Sequence, residues 1–65
     1  MQVVQVRILN AHRCTDDDGS LMESLNEAYG FENGDIVDAE VINGVYFVGF
    51  NAESYLRDDE FEVVE

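Results

Sequence analysis

The 65-residue chain carries 15 acidic side chains against 3 arginines, contains no lysine, and has a formal charge of −12. Three cations do not make a basic patch for a phosphate backbone, nor a cluster that an anionic membrane would attract. Disorder is excluded as well, because Leu, Ile, Val and Phe supply 20 of the 65 residues, well above the roughly one-fifth below which such a charge keeps a chain unfolded.

Residues 2–9 alternate, with Val4, Val6 and Ile8 on one face and Val3, Gln5, Arg7 and Leu9 on the other. Period-two placement of β-branched residues predicts a strand. Residues 10–19 read as a polar loop ending in Asp16-Asp17-Asp18-Gly19. The tetrad Ser20-Leu21-Met22-Glu23 has the form of a capping box and predicts that a helix opens there. Leu21, Leu25 and Ala28 form its expected apolar stripe, widened by Met22 and Tyr29, and Gly30 stands at the left-handed closing position. A helix of about two to three turns does not persist alone, so this one must lie against a sheet.

Residues 35–43 set Val37, Ala39 and Val41 on one face against Ile36, Asp38, Glu40 and Ile42 on the other. Asn43-Gly44 predicts a type I′ hairpin turn, because both residues accept positive φ. Residues 45–50 form the returning strand, 51–53 a turn, 54–56 a short strand, 57–60 one helical turn and 61–64 the last strand. About five short strands in so small a chain predict a curled or closed antiparallel sheet, since a flat one leaves long bare edges.

The run Asn33-Gly34-Asp35-Ile36-Val37-Asp38-Ala39, followed by Gly44-Val45-Tyr46-Phe47-Val48 and by Asp59-Glu60-Phe61-Glu62-Val63-Val64, resembles the SH3-like barrel pattern. In that pattern a Gly-Asp-apolar strand start precedes a central hairpin, and a 3₁₀ turn introduces the last strand. Residues 30–65 are most similar to the small SH3-like proteins encoded by bacteriophages and prophages. The expected fold is therefore α+β, mainly β: a small SH3-like antiparallel barrel with one short helix inserted after the first strand. The aromatic proline-peptide groove of eukaryotic SH3 domains is not matched. Trp is absent, and Arg7-Ile8-Leu9-Asn10 stands in place of an Ala-Leu-Tyr-type start.

A chain of this length is expected to be one domain, residues 1–65. Its single cysteine, Cys14, closes no intramolecular disulfide, which fits a reducing compartment. No apolar run approaches the roughly 18 residues of a membrane span, and no basic, apolar leader opens the chain. The expected location is the cytoplasm, that of the host cell if the chain is phage-encoded.

Motifs for catalysis are lacking. His12 and Cys14 are two ligands where zinc needs three or four from the protein. Aligning Gly19 with the glycine of a calcium loop puts Cys14 and Leu25 where carboxylates are required, and starting at Asp16 puts Leu21 at the glycine position. The acids of 16–18 read instead as a solvated turn that favours the positive start of the following helix. No phosphate loop or Ser-His-Asp set is present. The chain is expected to be a non-enzyme without cofactor or metal.

Charge is distributed unevenly: residues 1–34 hold 6 acids and 2 arginines, residues 35–65 hold 9 acids and 1 arginine. Asp38 and Glu40 share a strand face about 6.5–7 Å apart, and Glu60 and Glu62 repeat that spacing. Glu23 and Glu27 lie one helical turn apart, about 5–6 Å. Duplex DNA carries a charge about every 3.4 Å along each strand, so rows of carboxylates loosely imitate its phosphates.

The expected function is that of a small acidic inhibitor or regulator that mimics nucleic-acid phosphates and blocks the basic groove of a host nucleic-acid-binding or defence protein. The phage resemblance adds to that expectation, because phages commonly encode compact acidic inhibitors. One alternative is a generic SH3-like interaction module without mimicry; another is a domain whose charge only maintains solubility. The expected contact residues are Asp38, Glu40, Asp58, Asp59, Glu60 and Glu62 as phosphate surrogates, with Tyr46 and Tyr55 as aromatic anchors unless core packing takes them. The expected partner is a protein with a basic surface, with no direct contact to nucleic acid or membrane.

Overall fold

A computed structural model describes residues 2–64. Five strands, β1 (Gln2–Ile8), β2 (Ile36–Ile42), β3 (Val45–Val48), β4 (Ser54–Tyr55) and β5 (Phe61–Val64), form one antiparallel sheet in the order β4-β3-β2-β1-β5. One short helix, α1 (Leu25–Tyr29), lies in the long connection between β1 and β2. The mainly β architecture with one helix after the first strand is the one the sequence predicts. No helix among the described residues is long and apolar enough to cross a membrane.

Alternation decides which face turns inward. Val6 and Ile8 on β1, Ala39 on β2 and Val48 on β3 are buried, together with Ala11, Leu25 and Leu56 from the connections. Val37 faces Val6 across β1 and β2, while Tyr46 and Phe61 pack against the edge of this cluster. Asn43 and Gly44 adopt φ of 52° and 80°, the left-handed pair that a two-residue hairpin needs.

The sheet is strongly curled. Strands β3 and β5 are separated in the sheet by β2 and β1, a flat distance of about 14 Å at the usual strand spacing. Yet the rings of Tyr46 and Phe61 meet on the inner face with centroids 4.9 Å apart. Among the described residues no ladder joins β4 to β5, so the hydrogen-bonded sheet ends at those two strands.

The helix begins later than the sequence suggests. Ser24 is its N-cap, with Glu27 completing the capping box, whereas the expected box was Ser20 with Glu23. Local competition explains the shift. The Ser20 hydroxyl donates to Asp18 Oδ1 at 2.5 Å, its carbonyl accepts from the Asp16 amide, and the Met22 amide donates to the Cys14 carbonyl. A bridge between Thr15 and Leu21 completes a small loop that consumes the backbone groups of 20–22. Leu21 is therefore 86% exposed rather than part of a stripe, Ala28 is exposed, and Leu25 is the buried residue of the helix. Gly30 ends α1 in the left-handed region, as expected.

The long connection is fixed to the sheet by specific bonds. The Ala11 carbonyl accepts from the Asn26 amide, and the Ala11 amide donates to Asn33 Oδ1 at 2.7 Å. Those bonds draw the start of α1 onto the buried Ala11. At the other end, residues 57–60 make one hydrogen-bonded turn, Glu60 amide to Arg57 carbonyl at 2.9 Å, before β5 begins.

Candidate protein-binding site

Three arginines among so many acids are each spent inside the molecule. Arg7 on β1 lies directly across from Glu62 on β5, with Nη1 2.5 Å from Oε2. Arg13, in the connection after β1, pairs with Asp17 at 2.9 Å, reaches Asp59 through Nη1, and donates from Nε to the Thr15 carbonyl. Arg57 holds Asp16 through Nε and Nη2, both at 3.0 Å, and its guanidinium lies 4.4 Å from the centre of the Tyr55 ring. The Arg13 and Arg57 side chains are only 15% and 13% exposed. Both tie the loop at 13–17 to the segment 57–59.

These pairings hold the charges of their members. The hydrogen bond from Arg57 lowers the pKa of Asp16, aided by the Asp17 amide, and the bond to Asp16 in turn raises that of Arg57. The hydrogen bond to Asp17 raises Arg13, with Asp59 adding to it. Asp18 is lowered by the Ser20 hydroxyl and amide. The acids of 16–18 thus serve as ties within the loop and to Arg57 and Arg13, not as the expected charges at a helix start.

The depressed Asp16 pKa gives a pH prediction. Its contribution to stability is fully present above the ordinary aspartate value of 3.8 and is lost as pH falls through the lower folded value. Asp16→Asn should therefore be less stable than the parent at pH 7. In urea titrations that difference should close as the pH is taken below about 4. A difference that stayed constant across that range would assign the effect of the substitution to something other than the ion pair.

Between the loop and the 57–59 turn lies a cleft of about 460 Å³ whose walls include Tyr46, Tyr55 and Phe61, with Arg13, Asp58 and Asp59 at its polar margin. Strand β3 delivers Tyr46, the end of β4 delivers Tyr55, and the turn before β5 delivers both aspartates. A second hollow of about 320 Å³ lies beside α1, where the Tyr29 hydroxyl shares hydrogen bonds with Ser54 Oγ and Glu53 Oε1. Burial raises the Tyr29 pKa.

The expected contact residues therefore divide among three places. Tyr46, Tyr55, Asp58 and Asp59 come together in the cleft. Asp38, Glu40 and Glu62 stand on the outer face of the sheet, with Glu62 taken up by Arg7. Glu60 belongs to neither group and is a correction to the sequence-based expectation. It is 1% exposed, its Oε1 accepts from the Arg57 amide at 2.9 Å, and the Arg57 guanidinium lies 3.6 Å away. Asp58 and Asp59 in the turn are exposed, while Glu60 turns in beside the mostly buried Arg57. A surface contact through Glu60 is therefore ruled out.

Arg13, Arg57 and Phe61 are cleft residues that the sequence reading passed over. The available signal was scarcity: a lone cation in an acidic chain is surrounded by possible partners and is readily recruited to a fixed ion pair. His12 Nε2 lies 3.6 Å from Glu32 Oε1 on an exposed surface, and Cys14 is exposed and free. Among the described residues no group of three or more His, Cys, Asp or Glu side chains is arranged to hold a metal. No family model, no curated protein and no solved structure significantly matches the chain.

Proposed function

We propose that this chain is a small acidic protein-binding module that takes a basic segment of a partner protein in the Tyr46–Tyr55–Asp58–Asp59 cleft. One observation carries the reading: all three arginines are committed to the protein's own carboxylates. No arginine is left free for a partner, and in the cleft aromatic and acidic side chains are adjacent. Aromatic anchors in a desolvated pocket supply affinity, and carboxylates at its rim, Asp58 without an ion pair among the described residues and Asp59 beside Arg13, select cations and speed encounter. Binding rather than catalysis is the natural use of such a set.

The strand order 4-3-2-1-5, the long first connection, the hairpin and the single turn before the last strand support an SH3-like arrangement. The free Cys14 is compatible with a cytoplasmic setting. Phosphate mimicry by a phage-encoded inhibitor is the second reading. It draws on the charge of −12 and on Asp38 and Glu40, which no ion pair engages among the described residues. Its expected row of carboxylates is broken, because Glu60 is buried and Asp59 and Glu62 are paired. The module reading therefore ranks first.

The test is affinity capture from lysate of the source cells with the parent chain and two variants. Tyr55→Ala and the double variant Asp58→Asn/Asp59→Asn should each weaken capture of a basic partner about tenfold or more. DNA competing for the captured partner would favour mimicry. Capture unchanged by both variants, with their fold intact by circular dichroism, contradicts a cleft-based contact.

A further inference from the structure

The outer face of the sheet is more apolar than water alone would require. Residues directly opposed in register share a face, so Val3, Glu40, Phe47 and Tyr55 form one row across β1, β2, β3 and β4. Ile36 and Ile42 stand on the same face of β2, and Val45 on that of β3. The exposed members of this set range from 38% for Ile42 to 58% for Val3. Ile42, Val45, Phe47 and Tyr55 are neighbours in register, and clustered apolar exposure marks an interaction surface more often than scattered apolar residues do.

We infer that this face docks a cationic amphipathic helix of a partner protein. The outward residues of β2 run Ile36, Asp38, Glu40, Ile42, an acidic pair between two apolar ends on a central strand. Among the described residues no cation pairs with Asp38 or Glu40, and the nearest arginine on the face, Arg7, is held by Glu62. A covering surface must therefore bring positive charge flanked by apolar side chains. A second copy of the chain does the opposite. In a two-fold contact centred on this row the acidic pair of one copy meets that of the other, between molecules each carrying −12.

Sheet topology favours a helix as the occupant. Strand β2 is hydrogen-bonded on both sides, to β1 and to β3, so a partner strand cannot pair with it, and a helix is the element that packs on a sheet face. Leu, Lys, Lys and Leu at positions i, i+4, i+7 and i+11 share one helix face and repeat the apolar-charged-charged-apolar order of the row on β2. The face borders the cleft at Val45 and Tyr55 but does not need it, so this inference stands apart from the cleft reading.

The probe is a synthetic helical peptide carrying that Leu-Lys-Lys-Leu face, titrated into the isotope-labelled full chain and followed by amide NMR shifts. Shifts should centre on Val3, Asp38, Glu40 and Phe47. Asp38→Asn/Glu40→Gln should weaken binding about tenfold, while Glu23→Gln, outside both this face and the cleft, leaves it unchanged. A peptide of the same composition with Leu and Lys on opposite faces should bind about tenfold more weakly. Shifts confined to the cleft or to the free edge of β5, equal affinity for the rearranged peptide, absence of binding, or a dimer formed through this face in sedimentation would each overturn the inference.

Discussion

Glu60→Ala should cost the domain about 3 kcal/mol, a large part of the roughly 3 to 10 kcal/mol expected for a fold of this length. The Glu60 carboxylate is buried, satisfies the Arg57 amide at 2.9 Å and faces the Arg57 guanidinium. Removing it strips a buried donor of its partner, leaves a mostly buried cation with Asp16 alone, and opens a void beneath the turn. The Glu60 carbonyl, which accepts from the Leu9 and Asn10 amides, is unaffected, so the loss belongs to the side chain. Deleting one negative charge relieves some self-repulsion, but screening at ordinary salt makes that gain small beside the loss. Glu60→Gln keeps an acceptor for the Arg57 amide and should lose only about 1 kcal/mol. Urea titration reads both variants, and an alanine variant within about 0.5 kcal/mol of the parent would remove Glu60 from the structural core.

Gly49→Ala should be comparably severe, about 2 to 4 kcal/mol, because it combines backbone strain with overlap. Gly49 holds φ 92° and ψ 173°, a region that side chains rarely enter. A Cβ there would overlap Tyr29 Oη and lie 2.8 Å from its Cζ and 3.0 Å from Glu53 Cγ. Tyr29 cannot simply withdraw. Its hydroxyl is bonded to Ser54 and Glu53, and its ring stacks on Phe31 at 5.2 Å. Gly34→Ala is the control for positive φ, at 93°, with nothing within 4 Å of the added carbon. It should carry only the backbone penalty, about 1 kcal/mol. Equal losses at the two glycines in thermal or urea unfolding would show that Tyr29 does not constrain the β3–β4 connection.

Local chemistry made most of the fold legible. The alternation on β1 and β2, the Asn43-Gly44 turn and the Gly30 helix end each depend on residues close in sequence, and each is found within a residue or two of its expected place. The helix start was ambiguous because two capping boxes follow one another, Ser20 to Glu23 and Ser24 to Glu27. Only the pairing of 14–22 within the loop selects the second. The site was half legible for a related reason. Asp58, Asp59 and Glu60 are alike in composition, and their directions are set by how one turn meets β5. Arg13 meets Asp59 46 residues away in sequence, a contact that no local pattern announces. The tyrosines could be named as anchors or as core, and the structure separates them: Tyr46 packs against the core cluster and also lines the cleft, whereas Tyr55 is exposed and lines the cleft.

The charge of −12 looks different once these partners are known. It is the remainder after every arginine has been taken up as an internal brace, so the surface offered to another molecule is acidic with aromatic and aliphatic patches. The most direct measurement is the salt dependence of affinity for the captured partner, in the parent chain and in Asp58→Asn/Asp59→Asn. A cleft that binds a basic segment predicts affinity that falls steeply with added salt in the parent and less steeply in the variant. Affinity indifferent to salt, or identical slopes in the two proteins, would contradict it.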